Sequence, residues 1–110
     1  VRRLAPTFGG FHLDGIASPR CYVIEEKLKR ALSVPVMHGE HSTAVVVVGA
    51  MLNALKVVGK RLQDATVVLH GAGTSGVATA RLLLQMGVGR LRVCDEFGRI
   101  YATRPLGMNW

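Results

Sequence analysis

A glycine run set between an apolar strand and an apolar helix constrains this chain more than any other feature. Gly71, Ala72, Gly73, Thr74, Ser75 and Gly76 fit the spacing G-x-G-x-x-G. Just before them, residues 65–70 (ATVVLH) predict a short apolar strand. Just after, Val77, Ala78, Ala80, Leu82, Leu83, Leu84 and Met86 mark a helix over Thr74–Met86 that Gly87 ends. In that setting each glycine has a task. Gly71 permits a tight turn out of the strand, and Gly73 removes a side chain that would hold a pyrophosphate away from the backbone amides. Gly76 lets the helix lie close against the sheet. An anion there meets N–H groups at a helix N-terminus, the favourable end of its dipole, and Thr74 and Ser75 offer hydroxyl donors.

Asp95 follows Gly76 by nineteen residues, at the end of a second strand in which Leu91 and Val93 alternate with Arg90 and Arg92. A carboxylate in that place accepts hydrogen bonds from the ribose 2′- and 3′-hydroxyls of a dinucleotide. It repels a 2′-phosphate, so the pattern favours NAD over NADP unless Arg99 reaches across, and Glu96 adds to that preference.

The remaining chain reads as connected elements. Residues 1–22 are loop and short extended pieces punctuated by proline and glycine. Residues 23–32 predict a helix with Glu25–Lys29 and Glu26–Arg30 pairs, and a brief strand is expected around Val34–Met37. Thr43–Lys60 predicts one long, largely buried helix, capped by Ser42 or Thr43 and stopped at Gly59. Phe97-Gly98-Arg99 turns the chain, and Ile100–Ala102 begins a further strand.

These elements specify an α/β, three-layer Rossmann-like unit with a parallel sheet and flanking helices. The 110 residues hold only part of it, because a complete dinucleotide domain needs two such halves. The strand near Val67 is expected at the centre, parallel to the strand near Val93 and reached by a right-handed crossover. Buried on both faces, it carries Val67, Val68 and Leu69 without interruption. Residues 1–42 are read as a segment bordering a cleft of a preceding domain, and 43–110 as the opening of the dinucleotide domain. The remainder of a longer polypeptide, or a homo-oligomer, is expected to cover the sheet.

Net charge is +7, yet the fourteen Lys and Arg are scattered and interleaved with no aromatic stripe, which argues against a nucleic-acid face. The most apolar stretch, Ala44–Leu52, is too short to span a bilayer, so no membrane partner is expected. Cys21 and Cys94 have no metal-type spacing and fit reduced thiols in a cytoplasmic protein.

Upstream and downstream of the glycine run the chain resembles malic enzymes of the bacterial NAD type. The likeness is carried by Pro6–Gly10, Ser18-Pro19, Pro35–His38, Asn53–Lys60, His70–Gly76, Val93–Asp95 and Arg104–Asn109. It implies conversion of (S)-malate to pyruvate and carbon dioxide with reduction of NAD. A divalent magnesium or manganese ion would stabilise charge developing on the substrate oxygen. The family's proton-transferring tyrosine and lysine fall outside the matched stretch, so the resemblance assigns no catalytic residue here.

At the metal ligands the resemblance weakens. Where bacterial members read Asn-Leu-Glu-Asp-Ile, this chain has His12-Leu13-Asp14-Gly15-Ile16. Where they read His-Asp-Asp-Gln-His-Gly-Thr, it has the shorter His38-Gly39-Glu40-His41-Ser42-Thr43. Asp14 and Glu40 are the matching ligands, two acids in place of three, which implies a weak or lost site. His12, His38 and His41 stand near enough in sequence to compensate, and mixed ligation of that kind suits manganese, iron or zinc over magnesium. Two further readings stand beside the enzyme fragment: a non-catalytic descendant that keeps nucleotide binding or only the fold, and another NAD-dependent Rossmann dehydrogenase.

Overall fold

The computed structural model describes residues 1–105. They form two compact units, residues 1–42 and residues 43 onward. In order, the elements are β1 (Phe11–Leu13), α1 (Arg20–Ala31), β2 (Val36–His38), α2 (Gly39–Val57), β3 (Thr66–His70), α3 (Thr74–Gln85), β4 (Arg90–Asp95) and β5 (Gly98–Arg99). Single 3₁₀ turns occupy Ala5–Thr7 and Leu62–Asp64.

In the first unit β1 and β2 pair in parallel, with Phe11 opposite Val36 and Leu13 opposite His38. The connection between them is α1. It begins three residues earlier than apolar periodicity indicates, and its buried residues are Cys21 and Glu25.

In the second unit β3 and β4 are parallel, joined through α3, and β5 returns antiparallel beside β4. This is the α/β Rossmann-like arrangement, a parallel sheet flanked by helices, present in part. Val48 of α2, Leu83 of α3 and Leu62 form its buried centre, against which Val67, Leu69 and Leu91 pack. Alternate strand residues share a face, so both helices cover the face bearing Val67 and Leu69. Val68, pointing the other way, is 61% exposed. The expectation of a strand buried on both sides is corrected: among the described residues only one helical layer covers the sheet. Likewise β3 stands at the edge of the three-strand order β3-β4-β5 and not at its centre.

Three further expectations change. Helix α2 starts at Gly39, four residues before Thr43, so Ser42 lies inside it, and its Oγ is 3.2 Å from Nε2 of His12. It does end before Gly59, whose φ of +67° turns the chain, as Lys60 N–H donates to the Leu55 carbonyl at 2.9 Å. The helix is not largely buried, for Ala44 and Val48 are covered while Val46 is 70% exposed. Finally, the last strand is Gly98–Arg99, not Ile100–Ala102. The chain reverses at Glu96-Phe97, so Asp95 already faces Gly98. The resembling residues beyond Pro105 lie outside the described ones.

Candidate functional site

Two sites are built in the same way, at the carboxyl ends of a parallel strand pair, where the following loops converge. In the second unit His70 pairs with Cys94, which sets Gly71 beside Asp95. The Gly71 N–H donates to the Cys94 carbonyl at 2.8 Å, and its φ of +112° lies where side chains are strained. The chain then doubles back so tightly that a Cβ on Gly76 would lie 1.9 Å from the Gly71 carbonyl oxygen. Gly73 is the N-cap of α3 and supplies no side chain to cap the first-turn amides. A Cβ built there meets nothing within 4 Å, so the space ahead of those amides is open.

That space is a groove of about 520 Å³ whose lining includes His70, Gly71, Ala72, Gly73, Asp95 and Glu96. Thr74, Ser75 and Gly76 line an adjoining hollow that shares His70, Gly71 and Gly73. The eight residues read from the sequence as nucleotide contacts are thus divided between two hollows on either side of the glycine turn, joined at His70, Gly71 and Gly73.

Asp95 is not bare. Arg104 grips it with two hydrogen bonds, Nη1 to Oδ1 at 2.8 Å and Nη2 to Oδ2 at 2.6 Å, while Phe97 N–H donates to Oδ1 at 2.9 Å. Hydrogen bonding from Arg104 is the main reason its carboxyl is held below the usual range. The basic residue that meets Asp95 is therefore Arg104, not Arg99. Much of the carboxylate's accepting capacity is already used. Nine residues beyond Asp95 and across a hairpin, Arg104 left no local sign of this role.

In the first unit the pairing of Leu13 with His38 brings Asp14 and Gly15 next to Gly39 and Glu40. Asp14, Gly15, Gly39 and Glu40 line a cleft of about 420 Å³ with Cys21 and His38. The two acids share a cleft, and a hard octahedral ion there would take its other oxygens from water or substrate. Asp14 Oδ1 accepts the Gly15 N–H at 2.9 Å. Gly15 itself has a φ of +66°, in the left-handed region that glycine adopts readily. A Cβ on Gly39 would come within 3.4 Å of Asp14 Oδ1, so a side chain there would stand beside Asp14.

Beside this cleft three other side chains converge. Glu25 of α1 places Oε2 3.4 Å from Nε2 of His38 and Oε1 3.3 Å from Nε2 of His41. Glu25 and His38 are buried, and His41 is partly open. Burial alone would raise the Glu25 carboxyl, but Lys29, 2.8 Å from Oε1, and the two histidines hold it below its ordinary value. Burial pushes His38 down despite that carboxylate. His12 is not part of the group. The sequence showed Glu25 only as a helix partner of Lys29. The signal that would have marked it is its place four after Cys21, on the covered face of α1.

A family model described as malic enzyme, NAD binding domain, matches residues 41–98. The bifunctional malic/malolactic enzyme of Bacillus subtilis is 47% identical over 99% of this chain and 27% of its own length. The NADP-dependent malic enzyme of Haemophilus influenzae is 40% identical over 94% of this chain and 14% of its own. The crystal structure of the NAD-dependent malic enzyme of Thermotoga maritima superposes with a TM-score of 0.81 at 36% identity, covering 94% of this chain and 28% of that one. The chain spans about a quarter of the Bacillus relative's length. With its glycine cradle, its paired acids at the strand ends and a match over more than half its residues, the chain belongs to the malic enzyme family and carries part of that family's NAD-binding domain.

Proposed function

We propose that these residues serve as a dinucleotide-binding segment of the NAD type that has kept nucleotide recognition and lost the hard-metal site needed for malate oxidation. The observation that carries this reading is the contrast at the two strand ends. The Gly71–Gly76 turn is close-packed and open toward solvent, whereas the first cleft is lined by two glycines, Gly15 and Gly39, at positions where the resemblance implies acids.

The chemistry of recognition follows from the backbone. The pyrophosphate lies on the first-turn amides of α3, where Gly73 permits close approach. Asp95 and Glu96 border the ribose and disfavour a 2′-phosphate. Magnesium or manganese in the first cleft would act as a Lewis acid on malate, held by Asp14 and Glu40, two acids where the resemblance implies three, with water and substrate completing its shell. Residues 1–42 then contribute to the metal and substrate cleft in form more than in activity.

The second reading is an active fragment: together with the remaining polypeptide or a second copy, the chain converts (S)-malate to pyruvate. What favours it is that the similar enzymes align over almost this whole chain. Their printed names divide between NAD and NADP, so cofactor choice rests on Asp95 and Glu96. Calorimetric titration of the 110-residue chain with NAD and NADP tests the main reading, with NAD expected to bind more tightly. Equal or reversed affinity would overturn it. Malate-dependent NADH formation in the presence of magnesium or manganese would establish the second reading instead.

A further inference from the structure

We infer that Glu25, His38 and His41 form a binding site for a zinc-class transition-metal dication, beside the Asp14–Glu40 cleft, which His38 also lines. One ligand atom from each of the three lies within 4.8 Å of the others. The two separations between Glu25 and the histidines, 3.4 and 3.3 Å, have a specific meaning. Around a tetrahedral ion with bonds of about 2.0–2.1 Å, neighbouring ligand atoms stand about 3.3–3.4 Å apart. The carboxylate presents one oxygen to each imidazole at about that spacing, so a small movement of Glu25 brings a single oxygen and both imidazoles around one ion.

A second observation points to a ligand. His38 is 2% exposed, and among the described residues neither of its ring nitrogens has a hydrogen-bond partner. A buried imidazole in that condition forgoes a stabilising interaction that a metal would supply. Tyr22 and His41 stack edge-on against the His38 ring at 4.9 and 4.3 Å and fix its orientation toward Glu25.

Two imidazoles and one carboxylate make a borderline-soft donor set, suited to zinc or cobalt(II) and poorly to magnesium. Three protein ligands leave a fourth position, which opens on the side of His41, whose side chain is 43% exposed. Lys29 is the competitor. Its ammonium occupies Glu25 Oε1 at 2.8 Å, but the side chain is 52% exposed and free to swing into solvent. The ion would take its place. This site does not depend on nucleotide binding.

The test uses the metal-free 110-residue chain titrated with cobalt(II) and then zinc, without nucleotide or malate. Saturable 1:1 binding is expected, with the intense visible bands of four-coordinate cobalt that zinc removes and excess magnesium does not. His41→Ala and Glu25→Gln should each weaken binding by at least ~tenfold, the loss seen even for partners one shell further out. Circular dichroism verifies that these variants fold. Lys29→Met, at an exposed position, should tighten binding about threefold by removing the competing charge. Asp14→Asn should leave it unchanged. The inference is overturned by absent or non-saturable binding, by six-coordinate spectra lost on Asp14→Asn or Glu40→Gln, or by a His41→Ala chain that binds as tightly as the parent.

Discussion

The two strand-pair ends of this molecule share one plan and meet different fates. After β3 and β4 the loops present backbone amides, and after β1 and β2 they present side chains. The first kind of site is made by what glycine omits, so a short run of three glycines is enough to build it. The second kind counts donors, and Gly15 and Gly39, which border the first cleft, add no side-chain donor to it. A backbone cradle therefore tolerates changes of side chain that a carboxylate cage does not. Position at a strand end is shared by both and distinguishes neither.

The largest effect that would break this contrast is expected at Gly76. Its Cβ would meet backbone, not a flexible side chain, so Gly76→Ala must shift the turn or the helix. NAD affinity should fall by at least ~100-fold and folding stability by roughly 1–3 kcal/mol. Calorimetry and chemical denaturation read the two separately. Unchanged binding would mean that close packing of the turn is irrelevant to the cradle.

Gly73→Ala sharpens the point, because its Cβ enters open space. Stability should stay within about 0.5 kcal/mol, while NAD binding weakens about tenfold, or ~1.4 kcal/mol. Equal losses of stability and binding would count against a groove kept clear for phosphate.

Asp95→Asn removes the charge that Arg104 grips and should shift the NAD-to-NADP affinity ratio toward NADP by a similar factor, about tenfold. The same pair gives a pH dependence. Because Arg104 holds the folded-state pKa of Asp95 down, the pair's contribution is fully present above the unfolded carboxylate value of about 4. It is lost as pH falls through the lower folded value. Denaturation curves of parent and Asp95→Asn chains should converge as the solution is acidified; a constant gap would show that the pair carries no such linkage.

The smallest expected change restores one acid. Gly39→Asp would aim a carboxylate at the spot that Asp14 Oδ1 borders. Magnesium affinity should rise only about threefold, since the second missing acid remains absent. A gain of orders of magnitude, measured by calorimetry with malate present, would show that the first cleft was nearly intact.

Local pattern disclosed most of the second unit. The G-x-G-x-x-G spacing, the apolar run before it and the helical period after it located β3 and α3 to within a residue. The parallel pairing of β3 with β4 was expected as well, while its residue-by-residue register came from the structure. The start of α2 was missed because Gly39–Ser42 resembles a loop in composition, and tertiary context overrides such weak propensity. The closing hairpin was displaced because Asp95 and Gly98 pair across a two-residue turn, leaving Ile100 beyond the ladder.

Contacts made within a few residues, such as glycine turns, helix stripes and the Glu25–Lys29 pair, are written into spacing, because backbone geometry fixes how near neighbours meet. The Arg104 clamp on Asp95, the bare face around Val68 and the meeting of Glu25 with His38 and His41 are not. Each depends on where separate elements come to rest. Glu25 reaches the histidines only because α1 packs against β2, and no periodicity along the chain encodes that long-range closure.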